Sequence, residues 1–103
     1  KYVGSKRETA KEYEAFFKNI PDIDFFVEPD NCRSNYWLNV VILKDKVAQQ
    51  NFLEYTNDNG VMTRPIWELM NRLDMFKNCE TDGLVNTQWF ADRIVNIPSS
   101  VRL

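Results

Sequence analysis

Apolar residues recur at helical spacing between Ser5 and Ile20, where Ala10, Tyr13, Phe16, Phe17 and Ile20 form one stripe and Lys6, Arg7, Glu8, Lys11, Glu12, Glu14 and Lys18 fill the other side. The pattern predicts an amphipathic helix that opens on a Ser5/Glu8 capping box, carries a Glu14/Lys18 pair one turn apart and stops at Ile20 before Pro21. Phe25 to Glu28 reads as a short strand ended by Pro29, followed by a polar loop over residues 30–35. Tyr36 to Leu43 is apolar at both alternating sets, with Asn39 the one interruption, which predicts an interior strand covered on both faces.

Asp45 is placed to cap a helix that runs to about Asn57 with Ala48, Phe52 and Tyr55 on one stripe, and Asn57 to Gly60 supplies its stop. Val61 to Arg64 then reads as a strand broken by Pro65. Ile66, Leu69, Met70, Leu73 and Phe76 return to helical spacing, residues 77–83 are a polar loop, Leu84 to Arg93 is a short helix, and Ile94 to Ile97 is a last strand ended by Pro98. The order α, β, β, α, β, α, α, β predicts an α+β fold. Its sheet is antiparallel or mixed, has three to four strands and packs against helices. The strand from Tyr36 is expected between those near Val61 and Ile94, with Phe16, Phe17, Phe52 and Leu53 packing on it from the helices.

Composition narrows the function. With 103 residues, 44% hydrophobic and 27% charged, the chain is one small globular domain over residues 1–103. Its longest apolar run is far below the ~18 residues of a membrane span, so no membrane role is expected. The net charge of −2 lacks the pull toward phosphate backbones that dominates nucleic-acid affinity, so no nucleic acid is expected as a partner. Histidine is absent, which removes His-based acid/base catalysis, His-activated nucleophiles and His metal ligation. Cys32 and Cys79 lack CxxC spacing and read as reduced thiols of a cytoplasmic protein.

The glycines, Gly4, Gly60 and Gly83, are isolated, so no phosphate-binding loop is built from them. Asp22, Asp24, Glu28 and Asp30 alternate with apolar residues without the ligand spacing of a calcium loop, and read as a solvated edge with no metal. Tyr36 and Trp37 lie on a strand in the manner of a base-stacking platform, but without a basic groove beside them the reading is core packing.

Three motifs in order carry a family resemblance: Arg33 to Val40 (RSNYWLNV), Met62 to Trp67 (MTRPIW) with Leu69, Met70, Met75 and Phe76 behind it, and Val95 to Ser100 (VNIPSS). Together they resemble the carboxy-terminal small domain of the DegT/DnrJ/EryC/StrS sugar aminotransferases, pyridoxal-phosphate (PLP) enzymes of fold type I. The branch that aminates nucleotide-linked 4-keto sugars for bacterial surface polysaccharides looks closest. The resemblance implies a small domain joined to an upstream large domain, and a cytoplasmic enzyme that is a homodimer when full-length. It also implies glutamate as amino donor, a nucleotide sugar as acceptor, and PLP bound to a lysine of the large domain. No lysine of this chain stands in a matching motif. The resemblance therefore implies no catalytic, cofactor-binding or metal-binding residue here, and an isolated chain that does not transaminate. The rival reading is a free-standing α+β ligand- or protein-binding module.

The residues expected to touch substrate are Arg64, Trp67, Asn35 and Asn71. A guanidinium at Arg64 can grip a donor carboxylate or a nucleotide phosphate bidentately, or make a surface or interdomain salt bridge. Trp67 is either a wall of the sugar pocket or a core residue. Asn35 can bond substrate or cap the polar loop, and Asn39 is weighted toward structure. Asn71 stands where many family members have histidine, and Asp74 where they have proline; Asn71 donates and accepts hydrogen bonds but does not titrate near neutrality.

Overall fold

The computed structural model describes residues 1–101. Helix α1 (Tyr2–Phe17) is followed by strands β1 (Ile23–Phe25) and β2 (Asn39–Leu43), helix α2 (Lys46–Asp58), strand β3 (Arg64–Pro65), a single 3-10 turn (Met70–Arg72), helix α3 (Val85–Ala91) and strand β4 (Ile94–Ile97). The strands form one four-stranded antiparallel sheet in the order β1-β2-β4-β3. The fold is α+β, as expected. β2 is interior, but its neighbours are β1 and β4; β3 pairs only with the outer side of β4, where Arg64 faces Asn96 and Pro65 faces Val95. Pro65 has no N–H to offer a ladder, which confines β3 to an edge and to two residues.

Helices α1 and α2 cover one face of this sheet. On that face Val41 and Leu43 of β2 and Val95 and Ile97 of β4 are buried with Phe17 of α1. Tyr13, Ile20, Ile23, Phe25, Ala48, Phe52 and Leu53 pack around them. Asp45 caps α2, its carboxylate accepting from the Ala48 amide at 2.8 Å, and Gly60 closes the far end with φ +78°. The opposite face carries Val40, Ile42, Ile94, Asn96 and Arg64 by strand alternation, and β2 and β4 are only half-buried at these positions. The two-sided cover expected for β2 is therefore one-sided within this chain.

Several boundaries differ from the sequence pattern for definable reasons. β2 begins at Asn39 rather than Tyr36 because the Ser34 hydroxyl accepts from the Tyr36 amide at 3.0 Å and the Asn35 side chain accepts from the Trp37 amide at 2.9 Å. Those side chains take the amides a ladder would need, and Tyr36 sits at φ +45°. α1 begins three residues before Ser5, so the Ser5/Glu8 box is absent; Ser5 is in the first turn and Lys11 pairs with Glu8 at 3.0 Å instead of Lys18 with Glu14. The helix ends at Phe17, three residues before the expected Ile20. β1 is shifted toward the amino terminus, because Glu28 turns away to meet Arg7.

The helix expected from Ile66 to Phe76 is replaced by a chain of i to i+3 turns. Leu69 and Leu73 are extended, with ψ near 136° and 135°, and Leu69 is buried while Met70 and Met75 are exposed. Phe16 and Tyr55, expected on packing stripes, are 63% and 70% exposed.

Because Phe17 is buried and Phe16 only contacts its edge at 5.1 Å, the two are expected to separate on truncation. Phe17→Ala is expected to cost ~3 to 5 kcal/mol and Phe16→Ala ~1 kcal/mol in denaturant unfolding. Equal losses would mean that the helix is rotated from the orientation described.

Candidate functional site

The site is built on the helix-free face of the sheet and the loops beside it. Val40, Asn96 and Arg64 form one row across β2, β4 and β3. Arg64 is exposed; the sulfur of Met62 lies 4.0 Å from its Nη2, and among the described residues no carboxylate pairs with it. Trp67, beyond Pro65, is 75% exposed and so is not a core residue of this chain. Trp37 is 61% exposed, against the expectation of core packing, and its ring centroid lies 6.2 Å from that of Trp67 with the planes at 46°. Tyr36, its neighbour, is the one that is buried.

The loop that presents Trp37 is fixed by an ion pair. Arg7 of α1 donates through Nη1 and Nη2 to the two Glu28 carboxylate oxygens at 2.9 and 2.5 Å, and through Nη1 to the Ser34 carbonyl at 2.7 Å. Glu28 also accepts from the Ser34 amide at 2.6 Å, the Tyr36 hydroxyl accepts from the Glu28 amide at 3.0 Å, and the Arg7 guanidinium lies 5.6 Å over the Tyr36 ring. A bidentate charge-assisted pair with a further backbone bond holds one geometry where a lone surface pair would not. The bonds from Arg7, then that from the Ser34 amide, hold the Glu28 carboxyl at about 2, below its ordinary 4.5, against a smaller opposing effect of burial. Lys6, one residue earlier on α1, donates to the carbonyls of Trp37 at 3.2 Å and Ser99 at 2.6 Å. α1 thus ties the residue 28–37 loop to the segment after β4.

The expected site residues separate into two groups. Asn35, which caps the turn into Trp37, belongs with the Trp37/Trp67 pair. Asn71 is half-buried in the 3-10 turn and lines a cavity of about 480 Å³ together with Trp67, Leu69, Met70, Phe76 and Leu84. Arg72, bonded to Glu68 and to the Gln88 side chain, braces that turn against α3. Asp74 is exposed and lies 3.8 Å from Lys77. Asn39 is structural, fully buried with its amide and Nδ2 both on the Ser99 hydroxyl. Trp37 stood in the first motif but was read as core packing, and Lys6 and the Arg7/Glu28 pair were not signalled by the sequence; the trace of the loop that exposes Trp37 is the Ser34-Asn35 dipeptide, whose side chains favour loop caps over strand.

The residues present do not make a PLP site by themselves. Six of the seven lysines are exposed, and the Lys6 Nζ donates to the carbonyls of Trp37 and Ser99. The amino terminus of α2 is already occupied by the Asp45 carboxylate, which repels a phosphate. Cys32 and Cys79 are both exposed and unpaired. Among the described residues no group of His, Cys, Asp or Glu is arranged to hold a metal ion, and no helix is long and apolar enough to cross a membrane.

The fold defines a small α+β domain whose four-stranded antiparallel sheet is packed against helices on one face, with exposed indoles and an exposed guanidinium at its rim. The model of the DegT/DnrJ/EryC1/StrS aminotransferase family matches residues 1–103, and the chain belongs to that family. Among solved structures, the aminotransferase TlmJ from Streptoalloteichus hindustanus matches with a TM-score of 0.83 at 17% identity, over 94% of this chain and 26% of its own. PseC of Helicobacter pylori, an aminotransferase involved in pseudoaminic acid biosynthesis, matches with a TM-score of 0.80 at 15% identity, over 93% and 27%. The Escherichia coli GDP-4-keto-6-deoxy-D-mannose-3-dehydratase, solved with bound hydrated PLP, matches with a TM-score of 0.69 at 18% identity, over 95% and 26%. The chain spans about a quarter of the length of these structures. No curated protein matches it.

The depressed Glu28 carboxyl sets the acid response of the loop. Its contribution to stability is complete above its ordinary value near 4.5 and is expected to fade as pH falls toward about 2, where the carboxylate is protonated and the Arg7 pair is lost. Glu28→Gln should flatten that part of the stability profile, read by unfolding between pH 5 and pH 2. An unchanged profile would mean that the pair contributes nothing to holding the loop.

Proposed function

We propose that the chain is the C-terminal small domain of a PLP-dependent sugar aminotransferase whose large domain lies upstream in the same polypeptide. The observation that carries this reading is the pairing of a family match across residues 1–103 with structural matches that leave about three quarters of each partner uncovered. The exposed, partly apolar helix-free face supports it, since a face that packs against a larger neighbour is left open when the neighbour is removed. It disfavours the free-standing binding module.

On this reading the full-length enzyme is a cytoplasmic homodimer that takes an amino group from glutamate and passes it to a nucleotide-linked 4-keto sugar in surface polysaccharide biosynthesis. PLP and the lysine that binds it belong to the large domain. The chemistry given to this chain is binding and orientation. Arg64 presents from β3 an exposed guanidinium that pairs with no carboxylate among the described residues, suited to the donor carboxylate or the nucleotide phosphate. Trp67 borders the sugar, Asn35 holds the turn beside it, and Asn71 offers an uncharged hydrogen-bonding amide in the cavity next to Trp67.

In the full-length enzyme Arg64→Ala is expected to weaken one anionic substrate by about 1.5 to 3 kcal/mol, and Arg64→Lys to recover only part of this because an ammonium lacks the planar fork. Steady-state kinetics with glutamate and the keto sugar varied separately identify which anion is held. Unchanged KM and kcat for both would make Arg64 structural. The isolated chain is expected to show no pyridoxal absorbance and no glutamate-dependent turnover.

A further inference from the structure

The geometry points to a binding site for a small neutral α-amino acid, held as its zwitterion in a polar cavity of about 200 Å³ between α2, the 3-10 turn and the end of α3. Neither Arg64, Asn35 nor Asn71 lines this cavity, and Trp67 is the one residue it shares with those assigned above to substrate. The inference goes beyond the aminotransferase reading and does not depend on it.

The first observation is the charged lining. Lys46 of α2 lies 4.0 Å from Asp92, which also accepts from the Gln88 Nε2 at 3.2 Å. The Gln88 Oε1 accepts in turn from Arg72, and Arg72 donates to Glu68 at 3.4 Å. Two cations and two carboxylates therefore line the cavity as an electrically neutral set, tied together by one bridging amide. Both ion pairs are longer than the ~2.7 to 2.9 Å of a close charge-assisted bond, so each charged group keeps capacity for a further partner.

The second observation is Gln49. It is 3% exposed, and its Nε2 donates to the Ala91 and Ile94 carbonyls at 2.9 and 2.8 Å, two acceptors that fix which end of the amide is nitrogen. That leaves Oε1 with no donor among the described residues, yet not sealed in the core, on a residue that lines the cavity. An unpaired acceptor on a buried side chain is costly, and an ammonium, with three N–H groups and no acceptor of its own, satisfies it.

A simple anion or cation in this cavity meets two like charges, whereas a net-neutral ligand that carries both signs meets a partner for each. Its ammonium goes to the Gln49 Oε1 and Asp92, and its carboxylate to the planar fork of Arg72. Pro65, Ile66 and Trp67 complete the wall and suit a small apolar side chain. The volume lies below the roughly 300 to 1,000 Å³ of sites for drug-sized ligands, too small for a nucleotide.

The test is calorimetry on the full-length polypeptide with L-alanine and the two analogues that each lack one of its charges, propionate and ethylamine. The wild type is expected to bind L-alanine on the order of tenfold more tightly than either analogue. Asp92→Asn and Arg72→Gln should each weaken L-alanine on the order of tenfold and shift the preference in opposite directions, Asp92→Asn toward propionate and Arg72→Gln toward ethylamine. A merely structural loss would lower all three probes alike. The proposal is overturned if the wild type binds L-alanine no better than the analogues, a result that needs no variant to fold. It is equally overturned if both variants bind L-alanine as the wild type does, which would place the amino acid elsewhere in the polypeptide, or lose all three probes alike. Each of these results leaves the aminotransferase reading standing, since that reading rests on the family match.

Discussion

A four-stranded sheet that carries its helices on one face is the constraint from which the rest of this structure follows. Burying Val41, Leu43, Val95 and Ile97 under Phe17 and α2 supplies the core, and alternation along the same strands sends Val40, Asn96 and Arg64 to the other side. A face with half-buried valine and isoleucine and an arginine that meets no carboxylate among the described residues is neither a finished core nor an ordinary solvated surface. It is suited to contact with something larger and to ligands that come between the two. Domain and site are thus consequences of one asymmetry.

What turns that face into a site is the bidentate Arg7/Glu28 pair. Without it the residues between β1 and β2 would be a polar loop with an exposed indole at its end; with it, the loop, Tyr36 and Trp37 are referred to α1 in a single geometry. Lys6 and Tyr13 extend the same helix to the carbonyls of Ser99 and Pro98, so α1 holds both the approach to β2 and the exit from β4. A helix whose outer surface shows Tyr2, Val3 and Phe16 exposed therefore orders the site from the covered side of the sheet.

The parts legible in the sequence were those set by local chemistry. The Asp45 cap and the Gly60 stop define α2, and β4 falls on the expected residues because Pro98 ends it. Helical periodicity failed at Ile66 to Phe76, where extended backbone at Leu69 and Leu73 breaks the stripe, burying Leu69 and leaving Met70 and Met75 exposed. Alternation failed at Tyr36 and Trp37, because the competing bonds came from Ser34 and Asn35 and the anchoring charge from a helix far away in sequence. The site residues Arg64 and Trp67 were legible only through a motif, as was Trp37; that Trp37 stands against Trp67 and that Lys6 holds its carbonyl depend on tertiary placement that no spacing encodes.

The proposed interior role of the sheet face opposite α1 and α2 is tested most directly by hydroxyl-radical footprinting of the 103-residue chain and of the full-length polypeptide, comparing Val40, Ile42 and Ile94 on that face with the exposed Val47 and Tyr55 of α2. Reactivity at Val40, Ile42 and Ile94 is expected to fall several-fold in the full-length polypeptide while Val47 and Tyr55 stay reactive. Equal reactivity of the helix-free face in both, or protection of α2 in its place, would contradict it.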